Sequence, residues 1–247
     1  TALGNKVMYA QGSDVAGTKN QALFDEAVAM AADADYVILT LGTDLNVSDE
    51  SHDRKNLNLP GAQQQLLEAV YKANPNTIAV LVTCSSLTIN WAQENIPAIM
   101  SAWYDGQEQG QAISDVIFGK HNPGGKLTVT FPKTVGQIPF NFPYKPNSQV
   151  DGEVGIGPAG KQTRVAGALY DFGYGLSYTT FEYSNLRLSS KAIMPDENLE
   201  VMFDVTNTGK YKGDEIVQLY THDIASSITV FERMLRGFER ITLEPGE

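Results

Sequence analysis

Residues 36–60 read YVILTLGTDLNVSDESHDRKNLNLP, and this stretch decides the fold of the first half of the chain. It opens with an apolar run of strand length and continues as a polar, charged segment up to a helical pattern at 61–73. The connection at 42–60 is far longer than the roughly 2–6 residues usual between a strand and a helix in an α/β unit. Because open α/β sheets place ligand chemistry at the carboxyl ends of their strands, this loop is the first candidate for a functional site.

Apolar strand patterns alternate with amphipathic helix patterns over the first half of the chain. Helices are predicted at 20–33, 61–73, 86–94 and 107–118, and strands at 6–10, 36–41, 77–83, 97–103 and 127–131. In the last of these helices, the side chains expected to face inward are Ala112, Ile113, Val116 and Ile117. Strands that are apolar throughout and alternate with helices predict an α/β fold, with a mostly parallel sheet flanked by helices.

The second part of the chain has a different character. Residues 132–168 are rich in Pro and Gly and are expected to be irregular, whereas strand-like alternation begins at 181. About four strands are predicted from there to Glu247, against the roughly seven that an all-β sandwich of this kind needs. We therefore expect an α/β domain at 1–180 and the start of a β-sandwich at 181–247, with the chain ending inside the second domain.

The composition argues against some classes of partner. A net charge of -11 at pH 7 disfavours binding to nucleic acid or to an anionic membrane surface. The sequence contains no run of 18 apolar residues and no signal peptide, and its start at Thr1 suggests that an upstream region was removed or is missing. The single cysteine, Cys84, follows a strand-like run and is expected to be a buried small residue rather than a nucleophile.

Several short segments match the sequence motifs of known sites but lack the structural context or spacing that those sites need. The segment at 155–160 spells G-x-G-x-x-G, but no strand precedes it and no apolar helix follows it, so a dinucleotide site is rejected. Residues 51–53 read Ser-His-Asp, yet a catalytic triad is assembled from residues distant in sequence. The three histidines, His52, His121 and His222, lack the spacing of zinc ligands. We expect neither a metal nor a cofactor.

Glu50 is the candidate catalytic residue of the long loop. A general acid needs a carboxyl group whose pKa is raised toward the working pH by burial or by like charge. The neighbouring carboxylates of Asp49 and Asp53 would act in that direction, whereas the charge of Arg54 would oppose them. The sequence leaves open which influence prevails, and an exposed loop glutamate is more often simply solvated.

Motifs along almost the whole chain resemble a known family. The similar segments are YAQGSDV at 9–15, ESHDRKNLNLPGAQQQLL at 50–67, SAWYDGQEQGQAISDVIFGKHNPGGKLTVTFP at 101–132, LYDFGYGLSYTTFEYSNL at 169–186, VTNTGKYKGDEIVQLYTHD at 205–223 and LRGFERITLEPGE at 235–247. In this order they resemble the carboxyl-terminal part of family 3 glycoside hydrolases, which include β-glucosidases and β-xylosidases. The resemblance implies three domains: a TIM-like barrel, an α/β sandwich and a fibronectin type III-like domain. This chain would hold the second domain and the beginning of the third.

The resemblance also implies site residues. Many members carry their acid/base glutamate three residues before an Asp-Arg pair, in motifs similar to EGxDR; here that glutamate is Glu50, with Asp53 and Arg54 as the pair. His52, Asp53 and Arg54 are the corresponding candidates for substrate binding. Ser51 replaces the frequent glycine and His52 is unusual at its position, so the match is incomplete. Glu108 is a second candidate acid/base, although it begins a predicted helix and fits a capping role better.

The implied function is hydrolysis of terminal β-linked sugars with retention of configuration by an exo-acting enzyme. The nucleophile would lie in the barrel, which has no counterpart in this sequence, so we expect the chain alone to be inactive. The family resemblance also favours a secreted or periplasmic location. The alternative is a non-catalytic module that binds carbohydrate or docks domains and whose charged loop is merely solvated. A flavodoxin-like nucleotide binder is weaker, because no credible phosphate loop is present.

Overall fold

The computed structural model describes residues 6–146 and 165–247. The glycine motif at 155–160 and part of the segment predicted to be irregular at 132–168 lie outside these residues. The chain divides into two compact units: an α/β unit with described residues 6–110, 129–142 and 165–171, and a β unit with residues 111–128, 143–146 and 172–247. The domain boundary at 180 remains a prediction.

The α/β unit is built on a three-stranded parallel sheet. Its elements in chain order are α1 (Gln21–Ala32), β1 (Val37–Gly42), α2 (Gln63–Ala73), β2 (Thr77–Val82), α3 (Asn90–Asn95) and β3 (Ala98–Ser101). The strands lie in the order β1-β2-β3, with Val37 opposite Thr77 and Ile78 opposite Ala98. The predicted α/β fold with a parallel sheet and flanking helices is confirmed.

Local sequence explains why these elements form and pack. The side chain of Asn20 accepts hydrogen bonds from the backbone N–H groups of Ala22 and Leu23, which caps the amino terminus of α1. Helices α1 and α2 share an apolar cluster that includes Phe24 and Leu66. The central strand β2 is the most buried of the three, as its apolar run predicts for a strand covered on both faces.

Three predictions about this half of the chain are wrong. Residues 6–10 form no strand, since no strand among residues 6–146 and 165–247 pairs with this short run, and Tyr9 is 82% exposed. Residues 127–131 form only a single antiparallel bridge, between Phe131 and Tyr170, since Pro132 ends the run immediately afterwards. Helix α4 (Gln109–Ile117) has no fully buried residue. Of the residues predicted to face inward, Ala112 is exposed, whereas Ile113, Val116 and Ile117 are half-buried, so the prediction is wrong for Ala112.

The β unit contains four strands, as predicted. They are β4 (Phe181–Leu188), β5 (Val201–Asn207), β6 (Gly213–Thr221) and β7 (Met234–Leu243). They form two antiparallel pairs, β4 with β5 and β6 with β7. In β5 the alternating residues Val201, Phe203 and Val205 are half-buried, while the residues between them are exposed. The prediction of a β fold in this part of the chain is therefore confirmed, although β4 is exposed along almost its whole length.

Candidate active site

A cluster of hydroxyl groups lies at the carboxyl end of the parallel sheet. Thr43 follows β1, Thr83 follows β2 and Tyr104 lies three residues after β3. The Thr43 Oγ1 atom is 2.7 Å from the Tyr104 hydroxyl oxygen and donates to Thr83 Oγ1 at 3.3 Å. The sheet topology brings these residues together because the ends of parallel strands meet at one edge. The three hydroxyl groups form a polar cluster where the long loop begins.

Cys84 and Tyr104 are exposed at the edge of this cluster, whereas Thr43 and Thr83 are buried. Cys84 is exposed, so its predicted burial is wrong: the residue lies just past the end of β2, where the sheet no longer covers it. Its Sγ atom lies 4.0 Å from Thr43 Oγ1. Partial burial raises the pKa of the Tyr104 phenol, a shift that the Thr43 hydrogen bond opposes and the nearby Cys84 reinforces. Tyr104 is therefore a neutral hydroxyl at physiological pH.

The long loop at 43–62 begins and ends at crowded glycines. Gly42 ends β1 with φ +148°, and a Cβ atom there would lie 1.7 Å from the Val82 carbonyl oxygen. Gly61 has φ +58°, and a Cβ atom there would lie 2.6 Å from the Gly17 carbonyl oxygen. Because neither position tolerates a side chain without backbone movement, both ends of the loop are fixed by close contacts.

The second half of the loop, residues 54–62, is anchored to the segment after β2. Arg54 donates from Nη1 to Ser85 Oγ at 3.4 Å and from Nη2 to the Asn58 carbonyl oxygen at 2.5 Å. The backbone N–H of Thr88 donates to the Leu57 carbonyl oxygen at 2.8 Å. Burial lowers the pKa of the half-buried Arg54, while the nearby Cys84 and Tyr104 act in the opposite direction. The guanidinium group thus holds the loop together.

The first half of the loop, residues 43–53, carries the other candidates and extends into solvent. Glu50, His52 and Asp53 are all exposed. The backbone bends here through a hydrogen bond from the His52 N–H to the Asp49 carbonyl oxygen at 3.0 Å and through Ser51, whose φ is +68°. Within residues 6–146 and 165–247, no protein group bonds to the Glu50 carboxylate. The structure therefore brings Arg54 close to the hydroxyl cluster. It leaves Glu50, His52 and Asp53 exposed on the loop.

The structure also places the second acid/base candidate, Glu108. Glu108 is exposed and lies one residue before α4. Among the residues described, no group of three or more His, Cys, Asp and Glu side chains is arranged to hold a metal ion. A search of the same residues finds no helix with the length and apolar character required to cross a membrane.

Sequence reasoning missed Gln63, the first residue of α2. This glutamine is 3% exposed, and its side chain bonds to the backbone at three points. A signal for it existed: Gln63 occupies the same helical face as Leu66, Leu67 and Val70, which are all buried. A polar residue in line with an apolar face is buried only when its hydrogen bonds are satisfied.

Comparison with known proteins identifies the family. Residues 3–178 match the glycosyl hydrolase family 3 C-terminal domain. The chain belongs to glycosyl hydrolase family 3. Residues 215–247 of this family 3 chain match the fibronectin type III-like domain, in agreement with the antiparallel strands of the β unit. The predicted family and both predicted fold types are confirmed.

Several characterised proteins resemble this family 3 chain closely. A β-xylosidase from Formosa agariphila is 41% identical over 98% of the chain, and a periplasmic β-glucosidase from Salmonella typhimurium is 34% identical over 99%. The structure of a β-glucosidase from Erythrobacter marinus superposes with a TM-score of 0.87 at 35% identity, covering all of the chain and 35% of that protein. The chain spans about a third of the length of these relatives, 33% and 35% of the first two.

Proposed function

We propose that this chain is the carboxyl-terminal part of a retaining, exo-acting β-glycosidase and that Glu50 is its acid/base. The observation that carries the proposal is the position of Glu50 in this family 3 chain. Its carboxylate is exposed on a loop that leaves the carboxyl end of the parallel sheet and is anchored at its base. An acid/base residue that serves a sugar bound by another domain must extend beyond its own unit in this way.

The proposed reaction has two steps that share one glutamate. In the first, an aspartate of a TIM-like barrel attacks the anomeric carbon while Glu50, in its acid form, protonates the leaving oxygen. In the second, the ionised Glu50 removes a proton from water as the water attacks the glycosyl-enzyme intermediate. Retention requires the two carboxyl groups to lie roughly 5–5.5 Å apart. The barrel and the β-linked glycoside are thus the proposed partners of this chain.

The other loop candidates have narrower proposed roles. The exposed side chains of His52 and Asp53 are available to bind sugar hydroxyl groups or to face the barrel. Arg54 already bonds to Ser85 and Asn58, so we assign it to holding the loop in place, with any contact to substrate secondary. The substrates are terminal β-glucosides or β-xylosides, the two classes named in the relatives.

The test of Glu50 uses the longer hydrolase that would contain this chain. Glu50→Ala should lower kcat/KM by about 10²–10⁴-fold on alkyl β-glycosides, whose leaving groups need protonation. Activity on dinitrophenyl glycosides, whose leaving group needs no acid, should fall much less, and added azide should partly restore its turnover. Glu108→Ala is the matched control, since it removes an exposed carboxylate that is the second candidate. If Glu108→Ala shows this pattern and Glu50→Ala does not, the assignment is reversed.

A non-catalytic module is the second candidate function. It is favoured by the same exposed Glu50 carboxylate, which makes no bond to the described protein and could be simply solvated. Full activity of Glu50→Ala and of Glu108→Ala on alkyl glycosides would support this alternative. The chain alone, assayed on nitrophenyl β-glucoside and β-xyloside, should show no turnover above background, because it would supply only one of the two carboxyl groups.

The proposed location of the protein is secreted or periplasmic. The Salmonella typhimurium relative is named as periplasmic, and it matches 99% of this chain. Fractionation of the source cells, followed by immunodetection of the chain, tests this assignment. Detection in the cytoplasmic fraction alone would contradict it.

A further inference from the structure

The side chain of Gln63 joins the two ends of the candidate acid/base loop. Its Oε1 atom accepts from the Gly42 N–H at 2.7 Å, and its Nε2 atom donates to the Gly42 carbonyl oxygen at 2.8 Å. The remaining hydrogen of Nε2 is donated to the Val15 carbonyl oxygen at 2.7 Å. A carboxamide has one acceptor atom and two N–H donors, so every polar atom of this side chain is used.

The position of Gly42 explains why a glutamine is needed. Strand β1 lies at the edge of the described sheet, next to β2 on one side only. The Thr43 N–H is satisfied on that side by the Val82 carbonyl oxygen at 2.9 Å. The N–H and C=O groups of Gly42 are bonded by Gln63, which supplies one donor and one acceptor as a neighbouring strand would. Gln63 therefore completes the sheet where the loop begins.

Gln63 is also the residue at which the loop ends. The loop leaves β1 after Gly42 and returns to α2 at Gln63, so this bidentate contact closes a loop of twenty residues, 43–62, at its base. The third bond ties the same point to the segment around Val15, beside Gly17 and the crowded Gly61. One buried side chain thus fixes three stretches of backbone at the root of the loop that carries Glu50.

We infer that Gln63 is a positioning residue: it closes the base of the loop and thereby sets where the Glu50 carboxylate lies during acid/base catalysis. This inference rests on the proposed function of Glu50, although the closure of the loop does not. Gln63 is only 3% exposed, so its effect on catalysis must pass through the loop. A displacement of about 1 Å of a catalytic group can cost about 10²-fold in rate.

The first experiment tests the closure itself by hydrogen–deuterium exchange of the 247-residue chain. In Gln63→Leu, which removes all three bonds, amides of the loop should exchange at least tenfold faster, while those of β2 should be unchanged. Gln64→Leu is the matched control, because Gln64 lies on the same turn of α2 and bonds only to the exposed Glu68 in the described chain. Unchanged loop exchange in Gln63→Leu would overturn the inference, whatever Glu50 does.

A second variant covers the case in which Gln63→Leu fails to fold. Gln63→Glu keeps the shape and the acceptor for the Gly42 N–H, but an ionised carboxylate has no hydrogen to donate to the Gly42 or Val15 carbonyl oxygens. Protonation of the carboxylate restores one donor. The ratio of the loop exchange rate in this variant to that in the wild type should therefore be smaller at acidic pH than at neutral pH. Loop protection equal to that of the wild type at both pH values would overturn the inference.

The third experiment links the closure to catalysis in the longer hydrolase. In Gln63→Leu, kcat/KM on alkyl glycosides should fall about 10–100-fold and on dinitrophenyl glycosides less than threefold. When Glu50→Ala is already present, Gln63→Leu should cause no further loss on alkyl glycosides. An equal loss of kcat/KM on both substrates, both in the wild type and in Glu50→Ala, would overturn the positioning role and leave Gln63 with a general structural role. If instead Glu50→Ala alone leaves all activities intact, the proposed function fails, while the exchange experiment still decides the closure.

Discussion

The two units of the chain bury different kinds of side chain. Among the described residues, every fully buried apolar side chain lies in the α/β unit, with Leu67 and Val80 at 0% exposure. In the β unit the fully buried side chains are polar: Thr179, Asn207 and Glu215. Its large apolar side chains remain mostly on the surface, as for Leu186 at 70% and Phe238 at 72% exposure.

This difference shows that the two units are stabilised in different ways. Loss of a buried apolar side chain costs transfer free energy and leaves a cavity. Loss of a buried polar side chain instead leaves its partners without hydrogen bonds. Two-stranded antiparallel pairs are marginal in water unless an apolar face is packed, so the described β unit depends heavily on its buried polar contacts. The chain has two Trp residues, Trp91 and Trp103, both in the α/β unit, and this allows the two units to be monitored separately.

The largest effect is expected for Leu67→Ala in α2. Leu67 is completely buried, so the substitution should lower the free energy of unfolding of the α/β unit by about 3–5 kcal/mol. The measurement is the urea midpoint of tryptophan fluorescence. Leu186→Ala in β4 makes the same chemical change at an exposed position of the β unit and should cost less than about 0.5 kcal/mol, measured by native-state hydrogen exchange of β4 and β5. Equal losses in the two variants would remove the distinction between the units.

A buried ion pair gives the next largest effect. In the β unit Lys126 Nζ lies 3.0 Å from Glu215 Oε2, with side chains only 14% and 11% exposed, and the Tyr183 hydroxyl donates to Glu215 Oε1 at 2.9 Å. Lys126→Met should cost about 1–3 kcal/mol, because it leaves the buried carboxylate short of a partner. Native-state hydrogen exchange of β6 should report this loss, while the tryptophan transition stays unchanged.

The double variant Lys126→Met/Glu215→Leu tests the cause of that loss. Replacing both members of a buried pair by apolar side chains is often neutral, so β6 should regain most of its protection. A double variant that is no more stable than Lys126→Met would show that the loss does not come from the unpaired carboxylate of Glu215. A shift of the tryptophan transition in either variant would mean that the two units unfold together.

The sequence predicts the fold of the α/β unit well because its signals are local. The apolar runs at 36–41 and 77–83 became β1 and β2, and Asn20 supplied the cap of α1. Two of the predictions that failed concern strands: the runs at 6–10 and 127–131 have strand composition, but a strand also needs a partner. Pairing depends on tertiary contacts that a local pattern does not contain.

The candidate site was predicted only in part, for a similar reason. The length and charge of the loop indicated Glu50, the family resemblance added His52, Asp53 and Arg54, and the roles of all four residues remain predictions. The hydroxyl cluster of Thr43, Thr83 and Tyr104 was missed, because three separate strand ends contribute to it and only the sheet order brings them together. The exposure of Cys84 was missed because burial ends abruptly where β2 ends.

Arg54→Met tests whether the α/β unit also depends on a polar contact. The variant keeps much of the apolar stem but loses the bonds to Ser85 and Asn58. Because the side chain is only half-buried, the loss should be about 1 kcal/mol in the tryptophan transition. Arg54→Lys should recover little, since one ammonium group does not reproduce the forked geometry of the guanidinium. Wild-type stability of Arg54→Met would show that this half-buried contact contributes little to the stability of the α/β unit.

The smallest effect concerns Asp214, which couples the stability of the β unit to pH. Its carboxylate accepts from Thr242 Oγ1 at 2.7 Å and from Arg240 Nε at 2.8 Å. The Thr242 hydrogen bond, followed by that from Arg240, lowers the pKa of Asp214. The stabilisation is therefore present above the unfolded-state pKa of about 3.9 and is lost as the pH falls through the lower folded-state pKa.

Asp214→Asn removes this titration and should cost about 0.2–1 kcal/mol at pH 7, because Arg240 is 56% exposed and surface ion pairs contribute little. The stability difference between wild type and variant, measured by hydrogen exchange of β6 and β7, should shrink steadily below pH 4. Thr242→Val removes the strongest cause of the pKa shift, so it should move the loss of stability toward higher pH. A difference between Asp214→Asn and wild type that persists unchanged at low pH would show that shape, rather than charge, makes this contact favourable. The β unit would then rely on hydrogen-bond geometry alone at this position.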